Sequence, residues 1–166
     1  MKILTVYSSL TGNTEKIAKA IFEALPGSQL KKLPTDVNPQ EYDLIFCGFW
    51  CDKGHPDELW EEFFKNIGSV PTAVFGTLGG DPNSERGRAF ASKVLERISA
   101  PNILGLSLWQ GKVDPKILEM MAKMPGAKPM TPERKAKLAE AAKHPTPQDL
   151  GEAAEWALCM RKAVEK

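Results

Sequence analysis

The sequence predicts an α/β protein in which a parallel sheet is covered on both faces by helices. Short apolar runs rich in β-branched residues alternate with longer segments in which apolar residues recur every three or four positions. Neighbouring parallel strands need a crossover connection, and a helix of about 10–15 residues supplies it. Because such crossovers are right-handed, about five successive strand–helix units build one open sheet with helices on both sides.

The strands are predicted from apolar runs that are too short to form helices. The runs at residues 3–7, 43–50, 72–76 and 103–109 are apolar almost without a break, which is typical of strands buried on both faces. A weaker run around Leu30 and Leu33 predicts a strand close to the sheet edge.

The helices are predicted from apolar residues that share one helical face. The first is predicted from Thr14 to Leu25 and ends at Pro26-Gly27, and the second starts at Pro56 with acidic residues in its first turn. The remaining predicted helices cover residues 83–98, 115–124 and 147–164.

Residues 125–151 do not fit this alternation. They contain five prolines around a short basic helical stretch at residues 133–143. We interpret them as a surface excursion before the final helix, with a partner-docking or lid element as the alternative. The expected organisation is a single domain over residues 1–166 that carries this Pro-rich excursion.

Composition excludes several classes of protein. The chain has 22 Lys+Arg and 21 Asp+Glu, and this balance argues against a nucleic-acid-binding protein. No apolar run approaches the roughly 20 residues of a membrane-spanning helix. Three cysteines without a CxxC pair predict a reducing, cytoplasmic location, and two histidines give no metal cluster.

In open α/β sheets, ligands bind outside the carboxyl ends of the strands. This rule selects four segments, which we name the first loop (residues 8–13), the second loop (51–56), the third loop (77–83) and the fourth loop (110–114).

The first loop has the chemistry of a phosphate site built from neutral donors. Gly12 permits a tight or left-handed turn, Asn13 can cap or bend the chain, and the following helix start favours an anion. No lysine follows the glycine, so this is not a nucleoside triphosphate loop, and one terminal monophosphate suits it best. An ordinary helix-capping turn is the alternative. Hydroxyl groups come from Ser8, Ser9, Thr11 and Thr14.

The stretch Ser9-Leu10-Thr11-Gly12-Asn13-Thr14 resembles the phosphate-binding signature of flavodoxins, Ser/Thr-x-Thr-Gly-x-Thr, and lies at the same place near the N-terminus. The resemblance extends over roughly residues 1–124 and the final helix. It implies a flavodoxin-like three-layer α/β/α sandwich with a five-stranded parallel sheet, and FMN as cofactor. The phosphate ligands implied are Ser9, Thr11, Gly12, Asn13 and Thr14.

The same resemblance implies that the second loop covers one side of the flavin ring. Trp50 is expected to stack on the ring, or alternatively to pack under the loop. Gly54 has the freedom for the peptide rearrangement with which flavodoxins stabilise the semiquinone. Asp52 and Lys53 are either solvated or tune the flavin electrostatically. Cys51 is also expected to contact the flavin, but the sequence gives no evidence that it is a redox-active thiol.

The third loop is implied to line the other side of the ring through Thr77, Leu78, Gly79 and Gly80. Many flavodoxins have a tyrosine here, whereas this sequence has Leu78, which leaves the flavin more exposed, more weakly bound or accessible to a substrate. Trp109, before the fourth loop, either borders the site or is a core anchor.

The favoured function is an FMN-binding electron-transfer protein that serves a redox partner protein, either a reductase or an acceptor enzyme. The alternatives are a flavin-dependent NAD(P)H oxidoreductase of the quinone or flavin reductase type, and a non-redox accessory module. Because the cofactor performs the chemistry, no catalytic side chain is predicted. No nucleic acid or membrane partner is expected, and the protein is expected to be a monomer or a weak dimer.

Charge is divided unevenly between the two parts of the chain. Residues 1–100 carry a net charge of −2, and residues 101–166 carry +3. We therefore expect a partner to meet a dipolar surface and not the uniformly acidic one typical of dedicated flavodoxins.

Overall fold

A computed structural model describes residues 1–165. The strands are β1 (Ile3–Tyr7), β2 (Gln29–Lys32), β3 (Leu44–Asp52), β4 (His55–Pro56), β5 (Thr72–Leu78) and β6 (Ile103–Gln110). The helices are α1 (Asn13–Glu23), α2 (Glu58–Phe64), α3 (Glu85–Arg97), α4 (Pro115–Ala122), α5 (Pro132–Ala141) and α6 (Pro147–Val164), with a 3₁₀ turn at Pro39–Glu41.

The main sheet has five parallel strands in the order β2-β1-β3-β5-β6. The chain starts in the interior of the sheet, moves to one edge at β2, and then crosses back to fill the other side. The short strand β4 lies off this path and pairs antiparallel with β3. The predicted five-stranded parallel sheet is therefore confirmed.

Alternate residues of the central strands face two separate cores, as the period of two in a strand requires. On one face, Ile3 and Phe46 pack with Ile17 of α1 and Ala157 of α6. On the other face, the cluster around Phe49 includes residues of α2 and α3. Helices thus cover both faces of the sheet, which confirms the three-layer sandwich.

The helices differ from their predicted bounds by only a few residues. α6 covers the predicted 147–164, while α4 stops at Ala122, two residues before the predicted end. The basic stretch predicted at 133–143 is α5, so the Pro-rich excursion contains a regular helix. In residues 1–165, none of the helices combines the length and apolar character needed to cross a membrane.

Candidate functional site at the carboxyl edge of the sheet

Four loops meet where β1, β3, β5 and β6 end. Parallel pairing aligns the carboxyl ends of these strands, so segments far apart in sequence become neighbours. The Ser8 N–H donates to the Gly48 carbonyl at 2.9 Å, which carries the β1–β3 pairing into the first loop. The first loop therefore leaves the sheet beside the strand that leads into the second.

Gly12 gives the first loop its shape. It is the residue before α1 and has a φ of 97°, a left-handed conformation that residues with a Cβ rarely adopt. Its N–H donates to Ser9 Oγ at 3.1 Å, which closes the loop. The loop thus folds back over the start of the helix.

In the part of the chain that the structure describes, the N-terminus of α1 lacks a side-chain cap, whereas each of the other five α-helices has one. Those caps are Asp57, Ser84, Asp114, Thr131 and Thr146. Within residues 1–165, the backbone N–H groups of Leu10, Thr11, Asn13 and Thr14 also have no acceptor. Unpaired donors and a positive helix end make this a place for an anion.

Thr14 is placed differently from the other hydroxyl residues of the predicted phosphate set. Its side chain is buried, and its hydroxyl lies 2.7 Å from Thr77 Oγ1 and 3.2 Å from the Phe49 carbonyl oxygen. This hydroxyl therefore fastens α1 to β3 and β5, while the Thr14 N–H stays available at the helix end. Ser9 is half-buried and Thr11 is exposed.

Asn13 joins the first loop to the fourth. Its Nδ2 donates to the Lys112 carbonyl at 2.8 Å and lies 3.3 Å from Thr11 Oγ1. The approach is close enough that a Cβ on Gly111 would come within 2.6 Å of the Asn13 amide. Sequence reasoning assigned Asn13 to the phosphate and did not anticipate this contact between loops.

The second loop is a β-hairpin, which is not predicted from the sequence. β3 continues to Asp52, Cys51 pairs with Pro56, and Lys53 and Gly54 form the turn with φ values of 50° and 83°. Two successive positive φ values are typical of the tight turns that join hairpin strands. Trp50, half-buried, lies at the base of this hairpin, in register with Thr77.

Asp57 organises this hairpin, and sequence reasoning recognised it only as part of a helix start. Its carboxylate accepts from the Trp50 N–H at 3.1 Å and from the Trp60 N–H at 3.2 Å. Burial raises the pKa of Asp57, and hydrogen bonds from Ser8 and from backbone N–H groups partly oppose this effect. The Pro-Asp-Glu pattern predicts the cap, but the bond to Trp50 depends on tertiary structure.

The cysteines of this region are not activated nucleophiles. Burial raises the pKa of Cys51, and burial raises the pKa of Cys47 well above its ordinary value. Both groups therefore stay protonated at neutral pH, when reactive cysteines need the thiolate. No group of three or more potential metal ligands occurs in residues 1–165.

The third loop is held in place by the fourth. The Gly111 N–H donates to the Leu78 carbonyl at 2.9 Å, and Gln110 Nε2 donates to the Gly79 carbonyl at 3.2 Å. Thr77 is buried, Leu78 is half-buried, and Gly79 and Gly80 are exposed. The third loop therefore exposes backbone at its tip, as a close approach to a flat ligand requires.

Trp109 is a core residue. It is buried and meets Trp156 of α6 edge to face, with 5.8 Å between the ring centroids. Its burial and its contact with Trp156 favour the core anchor of the two interpretations offered from sequence.

A polar cleft of about 530 Å³ lies beside the third and fourth loops. Its lining includes Asp81 and Gln110 from these loops and Asp149 and Trp156 from α6. Since no residue of the first loop or of the hairpin lines it, the cleft is separate from the uncapped end of α1.

Comparison with known proteins agrees with this arrangement. The flavodoxin domain family matches residues 4–157. The flavodoxin-like domain-containing protein BilS of Clostridioides difficile (strain CD3) is 33% identical, over 95% of this chain and 94% of that protein. The BilS protein of Clostridium symbiosum (strain WAL-14163) is 30% identical over 78% of each chain.

Solved structures share the fold at lower identity. A flavodoxin from the domain Archaea superposes with a TM-score of 0.61 and 17% identity, covering 100% of both chains. Oxidised flavodoxin 2 from Bacillus cereus gives 0.54 and 19%, over 98% of this chain and 99% of that one. A flavoprotein in complex with FMN from Lactobacillus acidophilus NCFM gives 0.54 and 18%, over 74% of this chain and 99% of that one. By its matched domain and its relatives, this chain belongs to the flavodoxin family.

Proposed function

We propose that this protein binds FMN and carries electrons between the flavin and a redox partner protein. The observation that carries the proposal is the uncapped N-terminus of α1, where unpaired N–H groups surround the left-handed Gly12. FMN ends in one phosphate, and the donor set is of the right kind for one anionic group. The Lactobacillus acidophilus flavoprotein, solved in complex with FMN, supports the same assignment.

The phosphate would be held by the backbone N–H groups of Leu10, Thr11, Asn13 and Thr14, with the hydroxyl groups of Ser9 and Thr11 beside them. Ser9 Oγ already accepts from Gly12 and keeps its own O–H as a donor. A basic side chain is not required, because aligned N–H groups and the helix dipole already favour negative charge. This explains how a nearly neutral chain can bind an anionic cofactor.

The flavin ring would lie between the second and third loops. Trp50 and the hairpin tip at Lys53 and Gly54 would line one side, with Cys51 and Asp52 in the hairpin strand. Thr77, Leu78, Gly79 and Gly80 would line the other. When bound, FMN supplies reversible transfer of one or two electrons, and the chain fixes the ring's orientation and its contact with water.

A second candidate is direct oxidation of NAD(P)H with reduction of a quinone or a flavin. It is favoured by the third loop, where Leu78 is half-buried and Gly79 and Gly80 are exposed, without an aromatic side chain to cover the ring. An open ring face gives a nicotinamide or quinone room to stack.

Titration of the purified protein with FMN tests the binding step. We expect a shift in the visible flavin bands and quenching of tryptophan fluorescence; unchanged spectra throughout the titration would contradict the proposal. Anaerobic stopped-flow mixing of the FMN-loaded protein with NAD(P)H then separates the two functions. Slow reduction by NAD(P)H alone, with fast reduction when a flavodoxin reductase is added, supports a carrier, and fast direct turnover supports the oxidoreductase.

A further inference from the structure

α4 and the turn that follows it carry an apolar stripe that is largely exposed. Ile117, Met120, Met121 and Met124 follow the i, i+3, i+4, i+7 spacing of a helix face. No residue of α4 is buried, and Met120 and Met124 are 68% and 60% exposed. Such a stripe normally faces a protein core, but here it faces solvent.

The exposed surface continues beyond the helix. Residues 119–133 are all exposed, and Met130 within them is 55% exposed. Several large apolar side chains exposed within one short segment are typical of a contact site. Methionine suits such a site because its unbranched, polarisable side chain adapts to the surface it meets. We call Ile117, Met120, Met121 and Met124 the methionine face.

The segment that contains the methionine face is positively charged. Residues 111–143 contain eight Lys or Arg and four Asp or Glu, a net charge of +4. In residues 1–165, Lys116, Lys123 and Lys128 form no ion pair, so no carboxylate neutralises them there. We call these three residues the lysine rim. A complementary surface has an apolar centre and an acidic rim.

α4 starts directly from the loops of the candidate site. Asp114, the last residue of the fourth loop, caps the helix by accepting from the Lys116 N–H at 2.8 Å. Two residues earlier, the Lys112 carbonyl accepts from Asn13 in the first loop. The methionine face is thus connected to the first loop through a few residues of backbone.

We propose that the methionine face, with its lysine rim, docks an electron-transfer protein that has an acidic contact surface. This inference rests on the proposed function, since the docked protein is the redox partner of the flavin. Positive charge around the face speeds encounter with an acidic protein, and the methionines supply the close contact.

The observations favour this occupant over a lipid bilayer or a second copy of the chain. The methionine face contains no Trp, Phe or Leu, the residues that helices lying in a membrane surface carry on their apolar face. A symmetric dimer through the methionine face would place the two lysine rims against each other, with like charges opposed.

The test measures electron transfer from the reduced, FMN-loaded protein to two haem proteins of opposite charge. The acidic probe is the soluble domain of cytochrome b5, and the basic control is cytochrome c. The variants are Met120→Gln/Met121→Gln/Met124→Gln and Lys116→Glu/Lys123→Glu. Leu95→Gln is the matched control, because Leu95 is 50% exposed on α3, a different helix.

For the acidic probe, we expect the second-order rate constant to fall about tenfold in each variant and to fall with added salt in the wild type. Leu95→Gln should stay within about twofold of the wild type. With cytochrome c, the lysine variant should react faster. An unchanged rate in the methionine variant would overturn the proposal.

Two further measurements separate this inference from the proposed function. NMR titration of the FMN-free protein with oxidised cytochrome b5 should shift signals of α4 whether or not FMN binds. If FMN does not bind but these shifts appear, the electron-carrier function fails and the docking surface stands. The methionine variant is also tested for binding to phosphatidylglycerol vesicles and, by sedimentation, for dimer formation. If it loses either property while its reaction rate with the acidic probe is unchanged, the inference is overturned.

Discussion

Gly12 is the residue on which the proposed phosphate site depends most directly. Replacement by alanine puts a Cβ on a backbone with φ of 97°, and the loop must relax at a cost of about 1–2 kcal/mol. We expect Gly12→Ala to weaken FMN binding about tenfold, since the N–H groups no longer converge. Fluorescence titration with FMN measures the change.

Gly27→Ala is the matched control for Gly12→Ala. Gly27 also has a positive φ, 83°, but it follows the far end of α1. It should lose stability without losing FMN affinity. Equal loss of FMN affinity in both variants would mean that general destabilisation, and not the phosphate site, explains the effect.

The Thr14–Thr77 pair is predicted to hold the loops together through one buried hydrogen bond. Thr14→Val leaves the Thr77 hydroxyl without this partner, and we expect the free energy of unfolding to fall by about 1–3 kcal/mol. Thr14→Val/Thr77→Val should cost clearly less than the sum of the single variants, because both partners are removed together. Additive losses in urea denaturation would show that the two hydroxyl groups do not interact.

At this scale, the sequence identifies residue types better than their partners. The Ser/Thr-rich signature predicts a phosphate site in the first loop, but it does not reveal that the Thr14 hydroxyl turns inward to Phe49 and Thr77. The role of Asp57 was missed for the same reason, because its bond to Trp50 needs the hairpin to fold back first.

Among the elements, the junction of α5 and α6 has a built-in pH dependence. His144 Nδ1 lies 2.6 Å from Asp149 Oδ2, and Nε2 lies 3.4 Å from Glu140 Oε1. The hydrogen bond with Asp149, aided by Glu140, raises the pKa of His144. Protonated His144 therefore stabilises the folded protein. This stabilisation is fully present below the pKa of His144 in the unfolded chain, about 6.5, and is lost as the pH rises through its higher pKa in the folded protein.

We therefore expect His144→Gln to lower the free energy of unfolding by about 1–2 kcal/mol at pH 6 and by less at pH 9. Urea denaturation of wild type and variant at both pH values measures the difference. His55→Gln is the control, since His55 Nδ1 lies 2.9 Å from the Pro56 carbonyl oxygen and no carboxylate of residues 1–165 pairs with it. A His144→Gln loss that is equal at both pH values would contradict this account.

Element boundaries follow from the sequence wherever a local signal exists. Thr146 and Asp149 form a reciprocal cap at the start of α6, and the predicted start at residue 147 agrees with it. The segment 51–56 was predicted only as a loop, because the apolar run ends at Trp50 while the pairing that extends β3 comes from β4. α4 was predicted correctly as a helix, but its apolar face gave no sign that it would remain exposed.

For the whole molecule, the order of apolar runs was sufficient to predict a parallel sheet with helices on both faces. The strand order β2-β1-β3-β5-β6 agrees with this predicted sheet, because right-handed crossovers allow few strand orders. Contacts between the loops were not predictable in this way. Asn13 and Lys112 are 99 residues apart, and only the folded sheet brings them together.

The charge distribution is also a property of the whole molecule. A net charge of +1 argues against the strongly acidic surface typical of dedicated flavodoxins, and the positive part of the chain includes α4 and α5. This uneven charge distribution is compatible with two separate sites. Neutral donors would bind FMN, and a basic segment elsewhere in the chain would dock an acidic partner.

The central claim is that the chain recognises FMN through its phosphate at the uncapped end of α1. Calorimetric titration of the FMN-free protein with FMN and, separately, with riboflavin tests it most directly, since the two ligands differ only by that phosphate. We predict that FMN binds at least about 100-fold more tightly than riboflavin, a difference of about 2.7 kcal/mol. Equal affinities for the two ligands, or no binding of FMN, would contradict the claim.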